Sequence, residues 1–301
     1  MRTLTLAGLG TVSAIGYGAM PLSIEGRPDP ERAVATVHAA LDAGITLIDT
    51  ADSYYAPGGE PGHNELLIAR ALAAYGAAGA GEVLVATKGG RGRTADGGWS
   101  VDGDPARLRA AAEASARRLG VEAIGLYQLH KPDPGVPFAD SVGALRDLAD
   151  RGVIRLAGIS NVTTDQIRQA REILGERLVS VQNRYSPAVR DADPQLRLCA
   201  ELGLAFLPWS PLGGVSRSAL DGPGESVPAS GTPFHTVAAR HGVSPQQVAL
   251  AWLSGLSPTV LPIPGGSRPA SVRDSAAAAG LRLEAADLAL LPPAVPAAEA
   301  V

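Results

Sequence analysis

Eight short apolar or β-branched runs recur along the chain, each separated from the next by a helix-forming segment, and no other feature restricts the fold as much. The runs are IGYGAM, TLIDT, VLVATK, IGLYQLH, RLAGIS, LVSVQN, AFLPWS and TVLPIPG. The first full unit shows the grammar. Asp29 can cap a helix, Pro30 takes the first helical position, where a missing N–H costs nothing, and Ala33, Val34, Val37, Ala40 and Leu41 share one face. Gly44 then offers a left-handed stop before the next apolar run. The pattern returns over 104–120, in the helix ending at Arg151-Gly152, over 164–175 and over 194–203. Ser244-Pro245-Gln246-Gln247 reads as a capping box that opens a further helix.

Strict alternation of strand and helix implies a parallel sheet, because each crossover returns the chain to the same end. Eight such units without a linker predict an α/β protein, a single (β/α)8 TIM barrel spanning 1–301 as one domain. A chain of 301 residues accommodates such a barrel, which takes about 250, with long loops left for its C-terminal face. The opening TLTLAGLGTVSAIG reads as an N-terminal β-hairpin placed across the lower end of the barrel. Its Gly8-Leu9-Gly10, with Gly16 and Gly18, imitates a dinucleotide fingerprint. The third glycine is out of place and no helix follows at once, so it reads as a hairpin turn.

Composition removes several function classes. A net charge of −4 provides no basic face for nucleic acid. Cys199 is the only cysteine, which excludes an intrachain disulfide and a Cys-rich metal site, and no His/Cys/Asp cluster has metal-ligand spacing. The N-terminus lacks the long apolar region of a signal peptide, and no apolar run reaches membrane-spanning length. A cytoplasmic location without a membrane partner is expected; oligomeric state is not legible.

Barrel active sites lie at the C-terminal ends of the strands. The polar residues there are Asp49, Lys88, His130, Ser160-Asn161, Gln182 and Trp209-Ser210, and the eighth run ends in Pro264-Gly265-Gly266-Ser267-Arg268. Taken singly, an aspartate at a strand end is most often a cap, a lysine snorkels to water and a histidine is structural. Eight mouths opening on one face bring all of them to one pocket. Tyr54 completes a chemical set: its phenol, with an ordinary pKa near 10, needs help to exchange protons at neutral pH. A lysine ammonium beside it is expected to lower that value, with Asp49 holding the lysine charged and His130 orienting a carbonyl. His63 and Glu65, in GEPGHNELLIARAL, read as a surface approach to a helix at Asn64.

GITLIDTADSYY, VATKGG, LYQLHKPDP, GISN, VQNRYS, LPWSPLGG and PIPGGSRPASVRDS, in this order and at barrel intervals, resemble the aldo-keto reductases over essentially the whole chain. The resemblance implies a catalytic tetrad of Asp49, Tyr54, Lys88 and His130, with Tyr54 preferred to Tyr55 because it stands five residues after Asp49. It also implies NADPH/NADP+ as cofactor. Ser160, Asn161 and Gln182 would bond the carboxamide, Trp209 would stack on the nicotinamide, and Ser210, Leu212 and Gly213 would take the pyrophosphate. Gly265 lies in the turn before Ser267 and Arg268, which would hold the 2′-phosphate, and Asp274 would reach the adenine or ribose. Ser275 stands where relatives commonly carry an adenine-binding asparagine.

The expected activity is reduction of a small-molecule aldehyde or ketone. Two other classes fit parts of the pattern: a Schiff-base aldolase using Lys88, and an NADPH-binding sensor or regulatory subunit with little turnover. Substrate identity rests on the glycine-rich loop GGRGRTADGGWSVDGDP, on 213–232 and on the tail LPPAVPAAEAV. Trp99 in the first of these is either a pocket wall or a structural anchor.

Overall fold

The structure is a computed structural model, and it describes residues 1–76, 83–216 and 230–293. β1 (Thr3–Leu6) and β2 (Gly10–Ser13) pair antiparallel around the Gly8 turn. The main sheet takes β3 (Tyr17–Gly18), β4 (Leu47–Asp49) and β5 (Leu84–Gly89). A second antiparallel hairpin, β6 (Arg91–Arg93) and β7 (Trp99–Val101), follows β5 directly. The chain then returns to the sheet as β8 (Ile124–Leu129), β9 (Ile154–Ser160), β10 (Leu178–Gln182) and β11 (Ala205–Phe206). The order is β11-β10-β9-β8-β5-β4-β3, parallel throughout.

The helices on its outer side are α1 (Pro30–Asp42), α2 (His63–Tyr75), α3 (Pro105–Leu119), α4 (Phe138–Asp150), α5 (Thr164–Leu174), α6 (Asp193–Leu202), α7 (Pro233–His241), α8 (Pro245–Gly255) and α9 (Pro269–Ala277), before the short α10 (Ala285–Leu288). Their starts follow local chemistry. The Asp29 carboxylate accepts from the Arg32 N–H, Asp104 accepts from the Ala106 and Arg107 N–H groups, and Thr163 with Gln166 forms a reciprocal capping box. At α8 only half of the expected box forms. Ser244 accepts from the Gln247 N–H, while the Gln247 side chain donates to Asp274 on α9 at 2.6 Å.

The eighth run, 259–265, closes the circle. The Leu261 N–H donates to the Phe206 carbonyl at 2.9 Å on one side, and the Gly16 and Gly18 N–H groups donate to the Pro262 and Pro264 carbonyls at 2.9 and 3.0 Å on the other. Pro262 and Pro264 have no N–H to return, so this segment joins both sheet edges through isolated bridges instead of a full ladder. The approach is close enough that a Cβ on Gly18 would stand 2.9 Å from the Ile263 carbonyl oxygen. The curled seven-stranded sheet, joined edge to edge through this segment, fits a (β/α)8 barrel.

Period-two alternation sorts the strand residues between two cores. Leu47, Ala86 and Leu126 fill the barrel interior, where Leu6, Leu9 and Val12 of the first hairpin pack against the same cluster. Ile48 and Tyr127 point outward to the helix layer. The inward face therefore continues from Leu47 to Asp49, from Ala86 to Lys88, and from Leu126 through Gln128 to His130. An irregularity between Leu178 and Ser180 resets β10, so that Ser180 and Gln182 also turn inward. Among the described residues no helix is long and apolar enough to cross a membrane.

Candidate active site

Lys88 is the centre of the site. It is 0% exposed, and its ammonium donates to Asp49 Oδ1 at 2.5 Å, to the Thr50 carbonyl at 2.9 Å and to the Tyr54 hydroxyl at 2.9 Å. An ammonium has three N–H donors, and all three are used. Asp49 is equally committed: its Oδ2 accepts from the amides of Gln182 at 2.8 Å and Gln128 at 3.3 Å. Gln128 was not singled out in the sequence, although the inward period of β8 points to it. The His130 ring meets the Tyr54 ring edge-on, centroids 5.6 Å apart, and its Nδ1 lies 3.2 Å from Ser53 Oγ. Tyr55 differs from its neighbour: its hydroxyl accepts from the Arg93 N–H at 3.2 Å and so ties down the second hairpin.

Burial governs the titration of these groups. Desolvation pushes the Lys88 ammonium down, but Asp49 and Tyr54 outweigh it and hold the lysine above its ordinary value. Desolvation, then Lys88 and Arg91, push His130 well below the usual imidazole range, so its ring is neutral at neutral pH. Tyr54 departs from the sequence expectation. Desolvation raises its phenol above the ordinary value, the Lys88 charge pulls it back only in part, and Asp49 pushes it further up. The sequence supplies the cation but not the dryness around it, and dryness wins.

The remaining predicted residues line one cavity of about 750 Å³ together with Asp49, Tyr54 and His130. Ser160 Oγ donates to the Gln182 carbonyl at 2.7 Å, and the Asn161 amide donates to the His130 carbonyl at 2.9 Å and to Ser160 Oγ at 3.0 Å. Trp209 Nε1 donates to Asn161 Oδ1 at 3.2 Å. Asn161 and Ser210 take positive φ angles of 60° and 49°, the two non-glycine residues that do so among the described residues. Both sit on the cavity wall, where such strain is held by the surrounding bonds. Leu212 and Gly213 follow Ser210 along the wall, and Gly213 has no room for a side chain, since a Cβ would stand 2.7 Å from Ser186 Oγ. At the far end are Gly265, Ser267 and the exposed Arg268 at the start of α9, with Ser275 and Asp274 on that helix. Asp274 is held by Ser244 at 2.7 Å and Gln247.

Two sequence readings change here. The glycine-rich loop after β5 is an ordered hairpin, and its Trp99 is both wall and anchor, lining the cavity while Arg91 and Arg93 lie against its ring. Glu65, expected at the surface, is 0% exposed: it accepts from Thr87 at 2.5 Å and pairs with Arg118 at 2.6 Å. The signal was present, because Glu65 lies three residues from Ile68 on the buried side of α2. Of the other substrate-loop segments, 217–229 and 294–301 lie outside the described residues.

Beside Glu65, Asp52 retains some exposure as a residue, yet its Oδ1 is buried without a hydrogen-bond partner. Burial and then the Glu65 charge raise its pKa to about 8. Between the ordinary aspartate value near 4 and about 8 the folded chain binds a proton that the unfolded chain has lost, so stability falls as pH rises through that window. The slope from one such group is at most about 1.4 kcal/mol per pH unit. Asp52→Asn should flatten this loss, with urea midpoints at pH 5 and pH 8 as the measurement. An unchanged difference between the two midpoints would remove Asp52 as its source.

Comparisons with known proteins find similarity over nearly the whole chain. The model of the Aldo/keto reductase family matches residues 14–292. An uncharacterized oxidoreductase of Schizosaccharomyces pombe is 36% identical over 276 residues, 90% of this chain and 83% of its own length. The pyridoxine 4-dehydrogenase of Escherichia coli is 34% identical over 293 residues, covering 94% of each chain. Among solved structures, an aldo-keto reductase from Klebsiella pneumoniae in complex with NADPH superposes with a TM-score of 0.77 at 26% identity, over 97% of this chain and 95% of that one. A barrel with Asp49, Lys88, Tyr54 and His130 gathered at its mouth, matched by the family model over nearly its whole length, belongs to the aldo/keto reductase family.

Proposed function

We propose that this chain, as a single barrel domain, is an NADP(H)-dependent reductase of a small-molecule aldehyde or ketone, with Tyr54 as the proton donor. One observation carries the reading: the Lys88 ammonium joins the Tyr54 hydroxyl to Asp49 at one end of a cavity whose other end carries Arg268. The donor set suits a nicotinamide dinucleotide. An indole and amide groups lie at the reacting end, while hydroxyls, a cation and the first turn of α9 lie at the other. The neighbour from Klebsiella pneumoniae in complex with NADPH supports the same cofactor.

When bound, the cofactor supplies the hydride; the protein supplies orientation and the proton. Ser160, Asn161, Gln182 and Trp209 would hold the nicotinamide, and Ser210, Leu212 and Gly213 the pyrophosphate. Gly265, Ser267, Arg268, Asp274 and Ser275 would hold the adenosine phosphate end. The Tyr54 hydroxyl gives its proton to the carbonyl oxygen, and the Lys88 ammonium, kept charged by Asp49, stabilises the phenolate left behind. Neutral His130 steers the carbonyl oxygen toward Tyr54 with its second ring nitrogen. Lys88 does not suit a Schiff-base aldolase, which needs a neutral, reachable amine; this one is charged, fully buried and has every N–H engaged.

The test is loss of NADPH absorbance across a panel of aldehydes and ketones. Tight NADPH binding with no turnover on any of them would favour the sensor reading instead. Arg268 allows a sharper check, because only the 2′-phosphate separates NADPH from NADH. A charge-assisted hydrogen bond contributes roughly 1.5–3 kcal/mol, or about 10- to 150-fold in affinity. Arg268→Ala should weaken NADPH binding by about that factor and NADH binding far less. Equal losses for both cofactors would show that Arg268 supports the turn and does not read the phosphate.

A further inference from the structure

The second hairpin brings two arginines to Trp99, and they are not equivalent. Arg93 Cζ lies 3.7 Å from the indole centroid, and its guanidinium forks onto Glu25, Nη1 to Oε1 at 3.2 Å and Nη2 to Oε2 at 2.8 Å. Its charge is matched. Arg91 Cζ lies 4.4 Å from the same centroid, but its side chain has no hydrogen bond or ion pair with any described residue; the Nε of both arginines is buried without a partner, so the difference lies in the outer nitrogens. Arg91 lines the cavity beside Tyr54, His130 and Trp99, and its charge acts on both Tyr54 and His130. It therefore stands at the reacting end, away from Arg268.

A partly buried guanidinium without a counter-ion is expensive, and the carboxylates on the cavity wall do not relieve it. Asp49 is committed to Lys88, Gln182 and Gln128, and Asp274 to Ser244 and Gln247. The contact with Trp99 uses none of the guanidinium's N–H donors, so these remain for an acceptor, and a carboxylate is the group that meets such a fork through two parallel bonds. We propose that Arg91 is a specificity-determining residue that binds a carboxylate on the substrate, so that the preferred substrates are carbonyl compounds carrying an acid group. This rests on the reductase reading of the site and adds the substrate class to it.

The experiment compares meta- and para-formylbenzoate with their methyl esters, which match them in shape and carbonyl and lack the charge. With NADPH, wild-type protein should show a higher kcat/KM for at least one acid than for its ester. Arg91→Gln should reduce that acid-to-ester ratio by about 10- to 100-fold, and Arg91→Lys, which keeps the charge without the fork, should recover part of it. A second arm needs no turnover: calorimetric titration of the same compounds into protein saturated with NADP+, where no reduction occurs. There Arg91→Gln should weaken the acid by a similar factor and the ester much less. A ratio that Arg91→Gln leaves unmoved in the titration would overturn the assignment, as would a loss of NADPH affinity as large as the loss for the acid. If neither these compounds nor any of the wider carbonyl panel is reduced while the titration still shows the acid-specific loss, the reductase reading fails and the carboxylate site stands.

Discussion

Tyr54→Phe is expected to lower kcat/KM for carbonyl reduction by about 100- to 10,000-fold, the range that a positioned general acid contributes. The substitution removes one oxygen, the atom that accepts from Lys88 at 2.9 Å, and leaves the ring against His130. NADPH affinity should change little, because the cofactor end of the cavity lies elsewhere. Tyr55→Phe is the control: its hydroxyl meets the Arg93 N–H and not Lys88, so most activity should persist. Stopped-flow single turnovers would separate the chemical step from product release. Retained turnover in Tyr54→Phe, or loss confined to Tyr55→Phe, would sink the assignment of the proton donor. Burial raises the Tyr54 phenol, so it holds its proton at neutral pH, and Lys88 matters most once that proton has left.

Lys88→Met is expected to damage folding and catalysis together. It leaves Asp49, 3% exposed, without its cation, and it strips a donor from the Thr50 carbonyl. Removing one partner of a buried ion pair costs about 3–5 kcal/mol, because the other charge stays behind unpaired. Gln182 and Gln128 still donate to Asp49 Oδ2, which places the expected loss toward the lower end of that range. The two effects can be separated. Lys88→Met combined with Asp49→Asn removes both charges and should regain much of the stability in urea unfolding, while carbonyl reduction stays as low as in the single variant. Recovery of activity in the double variant would show that the pair is structural and that Tyr54 works without the cation. A single variant within about 1 kcal/mol of wild type would show that the pair is not what holds this end of the barrel.

Local regularities were open to reading because they are carried by neighbours in the chain. Capping residues such as Asp29, Asp104 and Thr163 act within three positions, and alternation along a strand needs only two. The step from Leu47 to Asp49, and from Ala86 to Lys88, therefore already announced carboxylate and ammonium on the inward face. The eightfold repetition carried the fold class, and the spacing of these residues from Tyr54 and His130, with the motifs around them, carried the proposed site. Folding of the sheet did the rest. Pairing of β4 with β5 set Lys88 Nζ 2.5 Å from a carboxylate 39 residues away, and the curl of the sheet turned Gln182 onto that same carboxylate across 133 residues. Glu65 passed for a surface residue because its partners, Thr87 and Arg118, come from a strand and a helix that only the folded barrel brings to α2. The rise in the Tyr54 pKa and the isolation of Arg91 belong to the same class. Both depend on what surrounds a group in space: water excluded from a phenol, and, among the described residues, no carboxylate paired with a guanidinium. Chain order records the donors and acceptors; their desolvation and pairing are properties of the packed structure, because dielectric screening and distance are set by neighbours that are remote in sequence.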